Sequence, residues 1–233
     1  MFATLTYPLD VIKTNRILQT SLAKEGAERI PREILSLQEK GNLQHGLFRG
    51  LLATLIAANI AKQITDKDLP LEAALLGTVV VNPLNIIQVH KQVLHNTVES
   101  KTYAQIMKDT MGNRPWRIFT LGLIPTLVRN SILFFGITPA VNGIDYTPVS
   151  VLYGLGGILL SHPFEIARVQ LQYLDTTSTF GGSLKIIKGV FAIEGLGGLY
   201  RGAVPRVLNI LPPIVSYASY QRYYYLVSQE QLE

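Results

Sequence analysis

The chain contains no cysteine among its 233 residues. Disulfide bonds, cysteine-ligated zinc and thiol catalysis are therefore excluded, although the cellular compartment stays open. Charge is also scarce, because only 16% of the residues are Asp, Glu, Lys or Arg, against about 25% in an ordinary soluble domain. Together with a hydrophobic content of 48%, this favours a membrane protein. The alternative is a large soluble protein with buried helices.

Several functional signatures are missing as well. The first residues, MFATLTYPLD, have no basic region and no small-residue cleavage site, so we expect no secretory signal. The histidines show no metal-ligand spacing, and no nucleophile–base pair or paired carboxylates suggest an enzyme. We therefore expect no catalytic residues, no metal and no cofactor other than bound lipid. The net charge of +5 is not gathered into a dense basic tract with interleaved aromatics, which favours anionic lipid or an anionic solute over nucleic acid.

The sequence contains two long runs without charged residues. Residues 73–90 and 146–164 contain 18 and 19 consecutive residues without Asp, Glu, Lys or Arg. Runs of about 18 or more predict membrane-spanning helices. The second run leads directly into HPFEIARVQ, which contains Pro163, Glu165 and Arg168. Proline and charge are both costly in an apolar helix, so this position needs a reason.

The same pattern of proline, acid two residues on and base five residues on occurs again. It returns as YPLDVIK, with Pro8, Asp10 and Lys13, and as NPLNIIQ, where amides replace the charges at Asn85 and Gln88. A glycine follows each proline at a similar distance: Gly50 after 42 residues, Gly122 after 39 and Gly202 after 39. The spacing predicts three repeats, 1–68, 69–145 and 146–233. Each repeat has a proline-bearing helix, a polar amphipathic segment, a glycine and a second apolar helix.

These motifs resemble those of the mitochondrial carrier family, in which Px[DE]xx[KR] is followed by [DE]Gxxxx[WYF][KR]G in each of three repeats. The third repeat matches closely with HPFEIARVQ and EGLGGLYRG, the first keeps YPLDVIK and LFRG, and the second has lost most polar positions. The resemblance covers essentially the whole chain. It implies an all-α integral membrane protein of the mitochondrial inner membrane, with six helices in three two-helix repeats.

The resemblance also implies a matrix-side gate made of ion pairs between repeats. It predicts contacts of Lys13 with Glu165, of Asp10 with Gln88, and of Asn85 with Arg168. Residues three apart share one helix face, so all these side chains would point to a central cavity. The alternative is that they form only local ion pairs at helix ends. The family's glutamine brace falls on Gln170.

Lipid and solute contacts follow from the same resemblance. Helix starts with free N–H groups bind phosphate, and the family holds cardiolipin there, which here implicates Arg49, Gly50, Arg201 and Gly202. Solute contacts lie about seven residues past the repeat glycine, at Ala57, at Arg129 with Asn130, and at Asn209. A lone intramembrane arginine such as Arg129 is by default a functional-site hypothesis. The alternatives are a plain helix boundary at the glycines and a snorkelling or carbonyl-capped arginine.

The chain also departs from the family pattern. It is shorter than usual, and the losses fall on the outer halves of the helices, away from the prolines. The even-helix ends AANIAKQ, FFGITPA and SYQRYYY carry no acid after the aromatic, so we expect no outer ionic gate. Alternating access needs two gates. We therefore interpret the chain as a carrier fold repurposed as a structural subunit of a larger, respiratory-type membrane complex. The alternative is an active carrier of a small anion such as a carboxylate.

Overall fold

The structure is a computed structural model, and it describes residues 2–18, 70–92, 102–142, 148–174, 180–212 and 215. The described residues are mostly helical and include no strand, as the all-α expectation requires. Within the predicted six-helix arrangement, the even helix of the first repeat and most of the last helix lie outside the described residues. The predicted repeat boundaries at 68/69 and 145/146 lie outside them too.

The motif proline lies inside a continuous helix in the first two repeats. Helix α1 spans Phe2–Leu18 and contains Pro8, and α2 spans Pro70–Gln92 and contains Pro83. Proline removes one helix hydrogen bond, but membrane helices tolerate it where neighbouring groups satisfy the freed carbonyl. Both helices therefore carry their motif side chains past the proline without a break.

The third repeat differs, because its proline-bearing helix is divided in two. Helix α6 spans Pro148–Leu160 and α7 spans His162–Leu174. The break lies at Ser161, whose N–H donates to the Gly157 carbonyl at 3.0 Å and whose hydroxyl donates to the Ile158 carbonyl at 3.0 Å. Pro163 is the second residue of α7, where a missing N–H costs little because first-turn N–H groups have no partner within their own helix.

The polar segment of the second repeat forms short helices that lead into its second long helix. Helix α3 spans Tyr103–Met111, α4 spans Arg117–Thr120 and α5 spans Leu123–Asn142. A capping box starts α3: the Gln105 N–H donates to the Thr102 hydroxyl at 3.2 Å, and the Gln105 side chain accepts from the Thr102 N–H at 2.7 Å. Such reciprocal bonds satisfy the orphan donors of the first turn.

The polar segment of the third repeat is a longer helix with an internal break. Helix α8 spans Phe180–Leu199, and Gly195 interrupts it with a φ of 65°. After Gly202, with a φ of 84°, the chain is helical again over 203–212, which we label α9. Positive φ is open to glycine at little cost, so both turns depend on the residue type found there.

Many polar side chains lie inside this bundle beside apolar ones, and large apolar side chains lie on its surface, a distribution unusual for a soluble protein. Large apolar side chains are exposed on α2, α5 and α6, including Leu76, Phe135, Leu152 and Leu160. The buried side chains of α1, α2 and α7 include many polar groups: Thr14, Asn15, Asn82, Glu165, Arg168, Gln170 and Gln172. An apolar exterior around a partly polar interior is typical of helices that face lipid and enclose a polar site.

The lengths of α2 and α5 can be compared with the predicted shortening of the outer halves of the helices. By length and composition, one helical stretch in the described part of the chain, Arg117–Gly136, is apolar enough to cross a membrane. Helix α2 has 23 residues and α5 has 20, and α5 continues past Pro139. At 1.5 Å per residue these helices reach about 30 Å or more, the thickness of the hydrocarbon core. The shortening therefore leaves both helices long enough to span.

Candidate functional site

One buried carboxylate joins three helices. Glu165 on α7 is 1% exposed, and its Oε1 lies 2.8 Å from Nζ of Lys13 on α1 and 2.8 Å from Nη2 of Arg168. Its Oε2 lies 2.5 Å from Nη1 of Arg129 on α5. The contact predicted between Lys13 and Glu165 is present, and it crosses from the first repeat to the third. A purely local i,i+3 pair does not account for it.

A second, partly buried acid lies on α1 and faces the second repeat. Asp10 is bonded by Lys13, three residues on, by Gln88 Nε2 at 2.5 Å and by Gln92 Nε2 at 2.8 Å. The predicted contact between Asp10 and Gln88 is therefore present as a charge-to-amide hydrogen bond. We call Asp10, Lys13, Arg129, Glu165 and Arg168 the charged cluster.

The structure gives Arg168 different partners from the one predicted. Its guanidinium bonds Glu165 and donates from Nη1 to Oε1 of Gln172 at 3.2 Å, and Asn85 is not among its recorded partners in the described residues. The predicted pairing of Arg168 with Asn85 is therefore replaced by pairing with Glu165 and Gln172. The reason is local geometry, since residues three and four apart on one helix face reach each other first.

The predicted brace position is buried in the first and third repeats, and His90 at this position of the second repeat is half-buried. Gln170 is fully buried on α7, and Asn15 holds the equivalent position on α1. The Asn15 amide donates to the backbone carbonyl of Gln92 at 2.7 Å, which joins α1 to the end of α2. The burial of Gln170 agrees with a brace, whose function in gating stays a prediction.

The residue before each motif proline was not singled out from the sequence. Asn82 donates through Nδ2 to the Leu121 carbonyl at 2.9 Å, and the His162 Nε2 lies 3.1 Å from the Arg201 carbonyl. In both repeats the accepting carbonyl belongs to the residue just before the repeat glycine. Repetition was the signal available, because Tyr7, Asn82 and His162 are all polar and all precede the proline.

The two repeat glycines that the structure describes, Gly122 and Gly202, each pack against another repeat. A Cβ built on Gly122, with φ 66°, would lie 2.6 Å from Cγ of Gln172 on α7. A Cβ built on Gly202, with φ 84°, would lie 3.1 Å from the carbonyl oxygen of Lys13 on α1. The second repeat thus contacts the third, and the third contacts the first, as a closed threefold arrangement requires.

Of the predicted solute residues, only Arg129 belongs to the charged cluster. Arg129 donates from Nε to Oδ1 of Asn130 at 3.0 Å as well as binding Glu165, and Asn130 donates to the Thr78 hydroxyl at 2.8 Å. Asn209 is half-buried on α9, with no recorded contact to Arg129 among the described residues. Ala57 lies outside the described residues.

The predicted lipid residues are described only in the third repeat. Arg201 is 34% exposed in its side chain and pairs with Glu194 at 2.9 Å, and Gly202 precedes α9. Arg49 and Gly50 lie outside the described residues. Cardiolipin at these positions stays a prediction, because the described contacts of Arg201 are internal to the protein.

One buried cation was missed entirely. Arg206 on α9 is 2% exposed; its Nη1 lies 3.2 Å from Nδ1 of His162, and its Nη2 donates to the Ser161 hydroxyl at 2.7 Å. A neutral imidazole with its proton on Nε2 satisfies both contacts of His162. The arginine in GAVPR was the available signal, since charge is scarce in that part of the sequence.

The described part of the chain contains no candidate set of metal ligands. No group of three His, Asp or Glu side chains is placed there to hold a metal ion. The site consists of guanidinium, ammonium, carboxylate and amide groups. Such groups bind and release charged solutes and exchange ion pairs, and a covalent reaction is not needed to explain their arrangement.

Helices that bury ion pairs between them and expose large apolar side chains are typical of a membrane protein with an internal polar site. The chain belongs to the mitochondrial carrier family, as the motifs indicated: residues 148–229 match the family profile described as "Mitochondrial carrier protein". Members of this family are multi-pass proteins of the mitochondrial inner membrane, and they are transporters, not enzymes. This assigns the chain to that membrane.

Similar proteins extend the comparison beyond the third repeat. The mitochondrial 2-oxodicarboxylate carrier of Mus musculus is 22% identical over 89% of this chain and 84% of its own length. The carrier of the same name from Rattus norvegicus is 23% identical with the same coverage. The mitochondrial glutathione transporter SLC25A39 of Bos taurus is 25% identical over 68% of this chain and 52% of its own length.

Proposed function

We propose that this protein is a solute carrier for a small dicarboxylate. The observation that carries the proposal is the charge of the buried site. In the charged cluster, the carboxylates of Asp10 and Glu165 face three cations. Arg206 adds a fourth cation whose recorded partners, Ser161 and His162, are uncharged. Among these six groups the excess is two positive charges.

Excess positive charge is expensive in an apolar surrounding. A dianion that binds among these groups balances the excess, whereas a cation increases it. Arg129 is the group placed to receive a carboxylate, because it lies on an even helix at the position of the predicted solute contact and is already bonded to one carboxylate, that of Glu165. A solute carboxylate that replaces Glu165 at Arg129 would release one contact of the closed gate. Binding would thus favour opening.

The names of the relatives support the same class of solute. Two of the relatives named above are 2-oxodicarboxylate carriers that match along most of this chain. The identity is low, so the proposal specifies the chemical class and not one compound. The spanning length of α2 and α5 removes part of the reason for assigning the chain a role without transport.

Purified protein in liposomes tests the proposal. We expect saturable exchange of labelled 2-oxoglutarate, little exchange of pyruvate, and a loss of about 10- to 100-fold in kcat/KM for Arg129→Ala, from one charge-assisted hydrogen bond. Arg114→Ala is the matched control, because Arg114 is an exposed arginine of the same repeat. Equal rates for Arg129→Ala and wild type, or no exchange by folded protein, would contradict the proposal.

The competing hypothesis is a structural subunit of a larger inner-membrane complex. It is favoured by the missing acids at the ends of the even helices, since a carrier with one gate cannot alternate access. Native electrophoresis in mild detergent separates the two hypotheses. Stable co-migration with other subunits, together with no exchange, supports the structural role, and migration alone with exchange supports transport.

A further inference from the structure

A buried hydroxyl on α2 meets the predicted solute residues of α5. Thr78 is 6% exposed, and its Oγ1 accepts a hydrogen bond from Nδ2 of Asn130 at 2.8 Å. No sequence motif marks Thr78, which lies five residues before the proline in an uncharged run. The bond joins the two long helices of the second repeat directly beside Arg129.

The direction of this bond is fixed by Arg129. A guanidinium can only donate hydrogen bonds, and Nε and Nη2 of Arg129 donate to Oδ1 of Asn130 at 3.0 and 2.7 Å. The amide oxygen of Asn130 therefore faces Arg129, and its NH₂ group faces the Thr78 hydroxyl, which accepts. Turning the amide over would break the hydrogen bonds to Arg129, so the three side chains hold one arrangement.

Asn130 occupies one edge of the Arg129 guanidinium and leaves another edge for a carboxylate. The edge formed by Nε and Nη2 bonds the Asn130 oxygen, while Nη1 donates to Oε2 of Glu165 at 2.5 Å. Each terminal nitrogen carries two hydrogens, so Nη1 and Nη2 also form an edge that can bond both oxygens of one carboxylate. Asn130 sets the plane of the guanidinium and thus the direction of this second edge.

The other repeats have an apolar residue where the second repeat has Thr78. Five residues before the motif proline, the first repeat has Ala3 and the third has Ile158. Ile158 is 1% exposed and packs against partly buried apolar side chains of α5 and α9. An apolar side chain therefore suffices to pack this position. The hydroxyl occurs in the repeat that carries Arg129, which points to a function connected with that residue.

We propose that Thr78 is a positioning residue that acts through Asn130 to orient Arg129 for exchange of the Glu165 carboxylate against a carboxylate of the solute. The inference rests on the dicarboxylate transport proposed above. Asn130 then contacts Arg129 and not the solute. A long side chain that is already oriented loses less conformational freedom on binding, so Thr78 raises the affinity for a carboxylate without touching it.

Exchange kinetics in liposomes test this function. Thr78→Val keeps the branched shape and removes the acceptor. We expect the KM for 2-oxoglutarate to rise about 5- to 10-fold, as for the loss of one hydrogen bond, while kcat stays within about twofold of wild type. Thr78→Ser should restore KM to within about twofold. Thr126→Val is the matched control, because the buried Thr126 hydroxyl bonds the Gly122 carbonyl at the start of its own helix, and its KM should equal that of wild type.

Three kinetic results would overturn the proposal. An unchanged KM for Thr78→Val would show that Arg129 does not depend on the hydroxyl. A loss confined to kcat would assign Thr78 to the conformational change and not to binding. Failure of Thr78→Ser to restore KM would mean that the shape of the side chain matters and its hydroxyl does not.

A double-mutant cycle on the melting temperature of the purified protein tests the same link without a solute. Arg129→Ala should lower the melting temperature of wild type by about 2 °C more than that of Thr78→Val, because a guanidinium that is no longer oriented pairs less well with Glu165. In the Thr126→Val background the loss should equal that in wild type. Equal losses in wild type and Thr78→Val would overturn the proposal.

The two experiments also separate this inference from the proposed function. Absence of 2-oxoglutarate exchange by folded wild-type protein contradicts dicarboxylate transport, and the melting cycle then decides whether Thr78 orients Arg129. If Arg129→Ala does not fold, Arg129→Lys takes its place in the cycle, since lysine keeps the charge and lacks the planar edge that Asn130 bonds.

Discussion

The second and third repeats share a backbone framework and differ in charge. In both, a buried polar residue before the proline bonds the carbonyl that precedes a positive-φ glycine, as Asn82 does with Leu121 and His162 with Arg201. In the third repeat the motif continues with a buried acid and base. In the second repeat the same positions hold Asn85 and Gln88. The framework is therefore independent of the gate charges.

The difference shows how a repeat that lost its motif charges still contributes to the gate. The second repeat sends Arg129 from its other long helix to Glu165, and Gln88 and Gln92 from α2 to Asp10. Side chains at other positions of the second repeat thus contact the gate acids where its own motif charges are missing. Substitutions of a gate charge, of a repeat glycine and of a surface ion pair test whether the backbone framework and the gate charges are independent of each other.

The largest expected effect comes from the acid position of the two motifs. Glu165→Gln leaves Lys13, Arg129 and Arg168 buried around a neutral amide, and breaking such a buried cluster costs about 3–5 kcal/mol of unfolding free energy. Asn85→Ala, at the same motif position of the second repeat, should cost less than about 1 kcal/mol. Denaturant unfolding in detergent measures both. Similar losses would mean that the charges belong to the shared framework.

The repeat glycines should give an intermediate effect, alike in both repeats. Gly202→Ala places a Cβ at φ 84°, 3.1 Å from the Lys13 carbonyl oxygen, and Gly122→Ala places one at φ 66° against Gln172. Strain of this kind costs about 1–3 kcal/mol. Gly156→Ala is the control, because a Cβ there meets nothing within 4 Å, and it should leave stability unchanged or raise it. Tolerance of alanine at Gly202 would show that the close approach to α1 is not required.

The smallest expected effect is at the surface pair that the third repeat has and the second lacks. Glu194 and Arg201 lie 2.9 Å apart, whereas Met111 and Leu121 precede the corresponding glycines of the second repeat. Glu194→Gln should cost at most about 1 kcal/mol, since partly exposed ion pairs are weak. The difference from wild type should vanish in about 1 M salt. A larger or salt-independent loss would mean that this pair belongs to the framework.

Some contacts of the site were predictable from the motif and others were not. The pairing of Lys13 with Glu165, and of Asp10 with Gln88, follows from repeat spacing, because equivalent positions on bent helices meet around a threefold axis. The pairing of Arg168 with Asn85 was wrong. Spacing gives the face of a helix, but the choice between a partner on the same helix and one across the interface depends on distances of a few ångströms.

Arg129 shows a second limit. The sequence marked it as a lone intramembrane charge and a solute contact, and the structure adds that it binds the acid of the gate at 2.5 Å. These residues are 36 positions apart on helices of different repeats. No periodicity relates them, so only the packing of α5 against α7 brings them together.

The sequence by itself determined the family, the threefold repeat and the inward direction of the motif charges, because these depend on local spacing along a helix and on the scarcity of charge. The tertiary structure alone decided that Glu165 receives three cations, that Arg206 is buried, and that the buried amides of Gln92 and Gln172 contact other repeats. The physical reason is that a hydrogen bond or an ion pair forms only within about 3 Å, and such distances between separate helices are set by how they pack.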